Sequence, residues 1–147
     1  MVLIRKIHFL IVGNSHEHIF KILQEYQPDQ IYLISSPEIK DSTSRLKKQL
    51  EDLNIHVEMI WVNPFQSDSL EKITNLLVST GKQLLLQNPE TKLFIGFTGG
   101  TNIMAIAAGY SALLLHAEGH YVLKDQNQIV PISPDHIINS IQNHLQF

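Results

Sequence analysis

The strongest constraint on this chain is a repeated pairing: a short apolar run, then a stretch with helical spacing. The run "KIHFLIVG" (6–13) is nearly continuous and ends in glycine, the pattern of a strand buried on both faces. In "SHEHIFKILQEYQPD" (15–29), Ile19, Ile22, Leu23 and Tyr26 fall on one helical stripe, and Pro28 marks its end. "QIYLISS" (30–36) is a second buried strand, followed by "KDSTSRLKKQLEDLN" (40–54) with Leu46, Leu50 and Leu53 at helical spacing. "IHVEMIWVN" (55–63) alternates, with Val57, Met59 and Trp61 on one side. A long helix over 67–90 turns Leu70, Ile73, Leu76 and Leu77 inward, and Gly81 is expected to loosen it. "KLFIGF" (92–97) is the fourth strand and "TNIMAIAAGYSALLLHAEG" (101–119) the fourth helix. "HYVL" (120–123) is the fifth strand. "DQNQ" then turns the chain into "IVPI" (129–132), read as a short antiparallel sixth strand. Ser133 caps a last helix with Pro134 in its first position.

Strands that alternate with helices of this length predict an α/β, Rossmann-like three-layer sandwich with a mostly parallel sheet and a short antiparallel edge strand. The length, 147 residues, fits a single domain over 1–147. A hydrophobic fraction of 44% against 17% charged residues suits a packed core. The net charge of -3 gives no support to a broad nucleic-acid surface, so no duplex DNA partner is expected, but a local anion site is compatible with it. The chain has no cysteine, which removes disulfides, thiolate metal sites and thiol chemistry. No apolar run reaches membrane-span length, and "NSHEH" follows the first apolar run where a signal peptide would carry small residues. A cytoplasmic protein without a membrane partner is the expectation.

The fourth helix is apolar almost all round, with Ile103, Met104, Ile106, Ala107, Ala108 and Leu113 to Leu115 spread over its circumference. One face packs on the sheet; the other predicts a two-fold homodimer, unless the third or the last helix covers it.

In an open parallel sheet, ligands bind outside the carboxyl ends of the strands. Two loops leave that edge with distinctive chemistry. "TGGT" (98–101) offers Gly99 and Gly100 N–H groups without side chains over them, plus the Thr98 and Thr101 hydroxyls, at a helix start. This is a concave donor surface for a phosphate or an adenine edge. The bland alternative is a tight turn in which Thr101 is only the helix cap. "GNSHEH" (13–18) offers Asn14 and Ser15, either able to cap the following helix, and His16 and His18, which titrate near neutrality. No His-Asp-Glu cluster has metal spacing, so neither a metal nor a cofactor is expected. The three-glycine dinucleotide fingerprint and the GxxxxGK[ST] loop are both missing.

With "GNSHEH" after the first strand and "FTGGTNIMAIAAG" after the fourth, the sequence resembles the CARF domains, the Rossmann-like sensor domains associated with CRISPR systems. The resemblance spans roughly residues 5 to 130. It implies a two-fold dimer that binds a cyclic oligoadenylate, tetra- or hexa-adenylate, between subunits. Gly13, Asn14 and Ser15 match the family's first binding loop, Thr98, Gly99, Gly100 and Thr101 the second, and Met104 the helix face beneath it. Asn102 stands where many relatives carry lysine, and Arg45, Lys47 and Lys48 are the candidates to replace that ammonium. Some members cleave the ring without a metal; here Ser15 would orient the attacking 2′-OH and His16 transfer a proton. A receptor, a ring nuclease and a different nucleotide or sugar-phosphate binder are therefore the alternatives. Family effectors append a nuclease or DNA-binding domain. No R-x-x-x-x-H ribonuclease signature occurs here. The chain is thus expected to be a lone sensor or a piece of a longer effector, its 134–147 helix a dimer strap or linker stump.

Overall fold

The computed structural model describes residues 4–145. Six strands form one sheet in the order β3-β2-β1-β4-β5-β6. They are β1 (Lys6–Ile11), β2 (Gln30–Ser35), β3 (His56–Trp61), β4 (Lys92–Gly96), β5 (Glu118–Leu123) and β6 (Gln128–Ile132). The first five pair in parallel, and β6 returns antiparallel along β5. Pro131 is accommodated in β6 because an edge strand can spare one ladder donor. The helices are α1 (Glu17–Tyr26), α2 (Lys40–Asp52), α3 (Ser69–Gln87), α4 (Asn102–Leu115) and α5 (Pro134–Ile141). Ser133 caps α5 by accepting from the His136 N–H.

The period of two along β1 sorts the core into two layers. Ile7, Phe9 and Ile11 pack with α3 and α4, among Ile73, Leu77, Met104, Ala107 and Ala108. Leu10 and Val12 pack with α1 and α2, among Ile19, Ile22, Leu46 and Leu50. The three-layer α/β sandwich expected from the strand–helix alternation is therefore present. The sixth strand and its antiparallel sense are as expected.

Several local expectations differ. Gly81 does not loosen α3, which runs unbroken; a Cβ there would press on the Leu115 and Leu93 side chains, so the glycine lets α3 close on α4. Leu53 and Leu76 are exposed, the first beyond the end of α2 and the second on the outer face of α3. Trp61 is exposed while Ile60 and Val62 are buried, because β3 is a sheet edge. The fourth helix stops at Leu115: His116 turns left-handed (φ 51°) and the Ala117 N–H donates back to the Ala112 carbonyl, so Glu118 and Gly119 join β5. The last helical segment ends in a 3-10 turn at Gln142–His144, and the final two residues of the expected 134–147 helix lie outside the described residues. Among the described residues no helix is long and apolar enough to cross a membrane.

On the α1 side of the sheet, His8 and His120 are fully buried and share a hydrogen bond between His8 Nδ1 and His120 Nε2 (3.2 Å). His8 also stacks on Phe94, with centroids 4.3 Å apart. The outer nitrogens, His8 Nε2 and His120 Nδ1, find no partner among the described residues. Burial holds His8 down to about 3, helped by His120 and then Lys6. Burial likewise holds His120 down to about 4; its own backbone carbonyl opposes the shift and His18 adds to it.

Both rings are neutral when folded, so the unfolded chain takes up the protons. Stability is therefore complete above the ordinary value of 6.5 and drains as pH falls toward 4. Each ring contributes up to about 1.4 kcal/mol per pH unit in that window. Urea midpoints should drop steeply between pH 6.5 and 4, and the His8→Leu/His120→Leu double variant should show a flatter profile.

Candidate functional site

The sheet reverses its direction of growth between β1 and β4, which are neighbours at its centre. The loops after these two strands therefore leave the carboxyl edge side by side, at the topological switch point. Their contact is close: a Cβ added to Gly13 would lie 2.8 Å from the Gly100 nitrogen. Gly13 is thus required by the approach of the second loop rather than by its own dihedrals.

The second loop is fixed at both ends. Thr98 Oγ1 accepts from the Val122 N–H (2.8 Å), tying the loop to β5. Thr101 is the N-cap of α4, its hydroxyl accepting from the Met104 N–H (3.3 Å). Between them Gly99 and Gly100 both take positive φ, 95° and 66°. A Cβ on Gly100 would run into Ile11 Cγ2, with Met104 Sδ next nearest.

The first loop is anchored from beneath. His18 Nε2 donates to the Ile11 carbonyl (2.8 Å), pulling the start of α1 under the end of β1. Burial lowers the His18 pKa; the Ile11 carbonyl opposes this, and His16 and Lys124 reinforce it, so the ring is neutral. Neither Asn14 nor Ser15 caps α1: the N-cap residue is His16, with no side-chain cap bond. The Asn14, Ser15 and Gly99 N–H groups donate to no backbone acceptor among the described residues.

Around these loops opens a cavity of about 450 Å³, within the range of small-ligand sites. Gly13, Asn14, Ser15, Thr98, Gly99, Gly100, Thr101 and Met104 all line it, so the structure gathers most of the expected binding residues at one place. Two expected residues stand apart. Asn102 is exposed on the first turn of α4 and is not part of the lining. His16 turns toward α2, its Nε2 3.3 Å from Ser42 Oγ, and burial followed by the Arg45 charge lowers its pKa. The histidine in the wall is His18.

The lysines of the wall are Lys21 and Lys124, and none of Arg45, Lys47 and Lys48 contributes to it. Glu17 and Glu38 offset those two charges, so attraction for an anion rests on N–H donors and two helix starts more than on net charge. The loops after β2 and β3 add Ser36, Glu38, Ile39 and Phe65, which the sequence reading had not placed at the site. Their signal was positional: each follows the carboxyl end of a strand. Among the described residues no three metal-ligating side chains are gathered.

No protein-family model matches the chain, and no curated protein does. Solved structures do. Can2 from Sulfobacillus thermosulfidooxidans, in complex with cyclic tetra-adenylate, is 21% identical with a TM-score of 0.66, over 86% of this chain and 34% of that one. Csm6 from Enterococcus italicus, bound to cyclic hexa-2'-fluoro-hexa-dAMP, is 14% identical with a TM-score of 0.74, over 95% and 44%. A type III CRISPR defence DNA nuclease activated by cyclic oligoadenylate is 18% identical with a TM-score of 0.68, over 82% and 19%. This chain thus spans less than half the length of each of these proteins. The fold is CARF-like, as the two loop motifs implied.

Gly100→Ala should lower the melting temperature, because a left-handed alanine costs about 1–2 kcal/mol and its methyl meets Ile11. Thr101→Val should lower it less, by the loss of a cap worth about 0.5–2 kcal/mol. Differential scanning calorimetry of both variants checks the order.

Proposed function

We propose that this chain is a sensor domain that binds cyclic oligoadenylate as a homodimer in CRISPR antiviral signalling. The observation that carries the proposal is the meeting of two donor-rich loops around one cavity at the switch point of a CARF-like fold. Structural neighbours hold cyclic tetra-adenylate and a cyclic hexa-adenylate analogue, which supports a ring as the ligand. A cavity of about 450 Å³ lies toward the small end of ligand sites, so a whole ring would be shared between two such sites facing each other.

The exposed side of α4 supplies a surface on which two copies would meet. Ile106, Tyr110 and Leu114 are about half exposed there, although α3 and α5 pack beside them. On α5, Ile137 and Ile141 extend the apolar face, and His116 at the end of α4 is joined to Asp135 of α5 (2.9 Å). Ala108 is fully buried within one chain, so the partner contact falls to the outer residues.

The ring-nuclease alternative asks for Ser15 and His16 at the ring. Ser15 lines the cavity and His16 is hydrogen-bonded to Ser42, which favours the receptor over the enzyme. A mononucleotide or sugar-phosphate binder remains the competing reading on the strength of the cavity's size.

Calorimetry with cyclic tetra- and hexa-adenylate should give micromolar or tighter binding of at least one, at one ring per two chains. Binding of neither would sink the proposal, and one mononucleotide per chain without ring binding would select the competing reading. Light scattering should give twice the chain mass of 16.8 kDa. Leu114→Glu should fold, halve that mass and lose ring binding.

A further inference from the structure

The cavity has two chemically different sides. The β1 and β4 loops present N–H donors and hydroxyls, and Lys21 and Lys124 stand in the same wall. The side built by the β2 and β3 loops presents the buried Ser36, then Ile39, Phe65 and the exposed Glu38. That carboxylate repels a phosphate and accepts hydrogen bonds from an amino group.

Phe65 is the unusual member. The residue is 66% exposed, more than any of the exposed hydrophobic residues of the α4 face. Yet its loop is stapled in place. The Phe65 N–H donates to Asn63 Oδ1 (3.0 Å). The buried Ser69 hydroxyl donates to the Asn63 carbonyl (2.6 Å) and accepts from the Gln66 N–H (2.8 Å). Pro64 beside it is buried. A loop held this firmly keeps an aromatic ring at the cavity instead of letting it fold onto the core. An aromatic face held ready in water next to an anion-type donor surface matches a ligand that is flat and apolar at one end and anionic at the other, which is the chemistry of a nucleotide.

We propose that the β2–β3 side of the cavity is a nucleobase subsite in which Phe65 stacks on the base, while the β1 and β4 loops take the sugar-phosphate. This assignment rests on the nucleotide-binding reading above and adds the residue that would hold the base. Glu38 lies where it would accept from an exocyclic amino group.

The test uses the full chain with cyclic tetra-adenylate, the same ring carrying one 2-aminopurine, adenosine 5′-monophosphate and inorganic phosphate. Phe65→Ala should keep its melting temperature and its mass by light scattering, because the side chain is exposed. It should bind the ring about five-fold to more than a hundred-fold more weakly, as expected for the loss of one base-stacking contact. It should also lose the fluorescence quenching that wild type imposes on 2-aminopurine. Phe65→Tyr should bind like wild type, whereas Phe65→Leu should resemble Phe65→Ala.

Wild-type affinity and quenching in Phe65→Ala would overturn the subsite while leaving the ring receptor intact. Wild-type binding by Phe65→Leu would overturn stacking. If wild type binds the mononucleotide but no ring, the receptor reading fails. The subsite then stands only if Phe65→Ala weakens the mononucleotide and not inorganic phosphate. Equal weakening of both would overturn it. Failure of wild type to bind ring and mononucleotide alike would remove both proposals.

Discussion

The parallel pairing of β1 with β4 at the centre of the sheet is the contact on which the rest depends. Their register, Lys6 with Lys92 through Phe9 with Ile95, brings two strand ends to the same height. The loops that follow must then share one space. Gly13 can sit against the Gly100 amide only because it has no side chain, and Gly99 and Gly100 reverse the chain with dihedrals other residues adopt at a cost. Three polar side chains hold that contact in place: Thr98 is tied to β5, Thr101 to α4 and His18 to β1.

The same packing leaves the site poor in net charge yet rich in N–H donors. Two helices begin at the cavity, and the first of them lacks a side-chain cap. Amides left open at a helix start carry partial positive charge into a partly enclosed space, where it is screened less than at a surface. A compact donor set of this kind discriminates by shape and direction, whereas a field of lysines would attract any polyanion.

Beneath the site the protein carries polar groups that it does not fully satisfy. The His8–His120 pair leaves one nitrogen of each ring without a partner among the described residues. The pair is kept neutral by desolvation, at a cost in acid. His120 lies opposite Gly96, where a Cβ would meet the imidazole ring, so the last residue of β4 is small because a histidine occupies its space. His18, which also lines the cavity, is the neutral ring that bridges this interior to the two loops.

The sequence alone determined the strand–helix alternation, the antiparallel return at "IVPI" and the two glycine-bearing loops. Each is written in local periodicity or in residues with special backbone freedom. Resemblance carried by those loops then pointed to a CARF-like fold. Only the tertiary structure decided which strands are neighbours, and therefore which loops meet. Lys21, Lys124, Glu38 and Phe65 reach the cavity from separate elements, and only the order of the strands brings them together. The same holds for His16 and His18: two residues apart on a helix start, they point about 200° apart, so one faces α2 and the other the end of β1. Local preferences fix the elements because they act within a few residues; the site is fixed by how those elements pack, which only burial of the whole core can set.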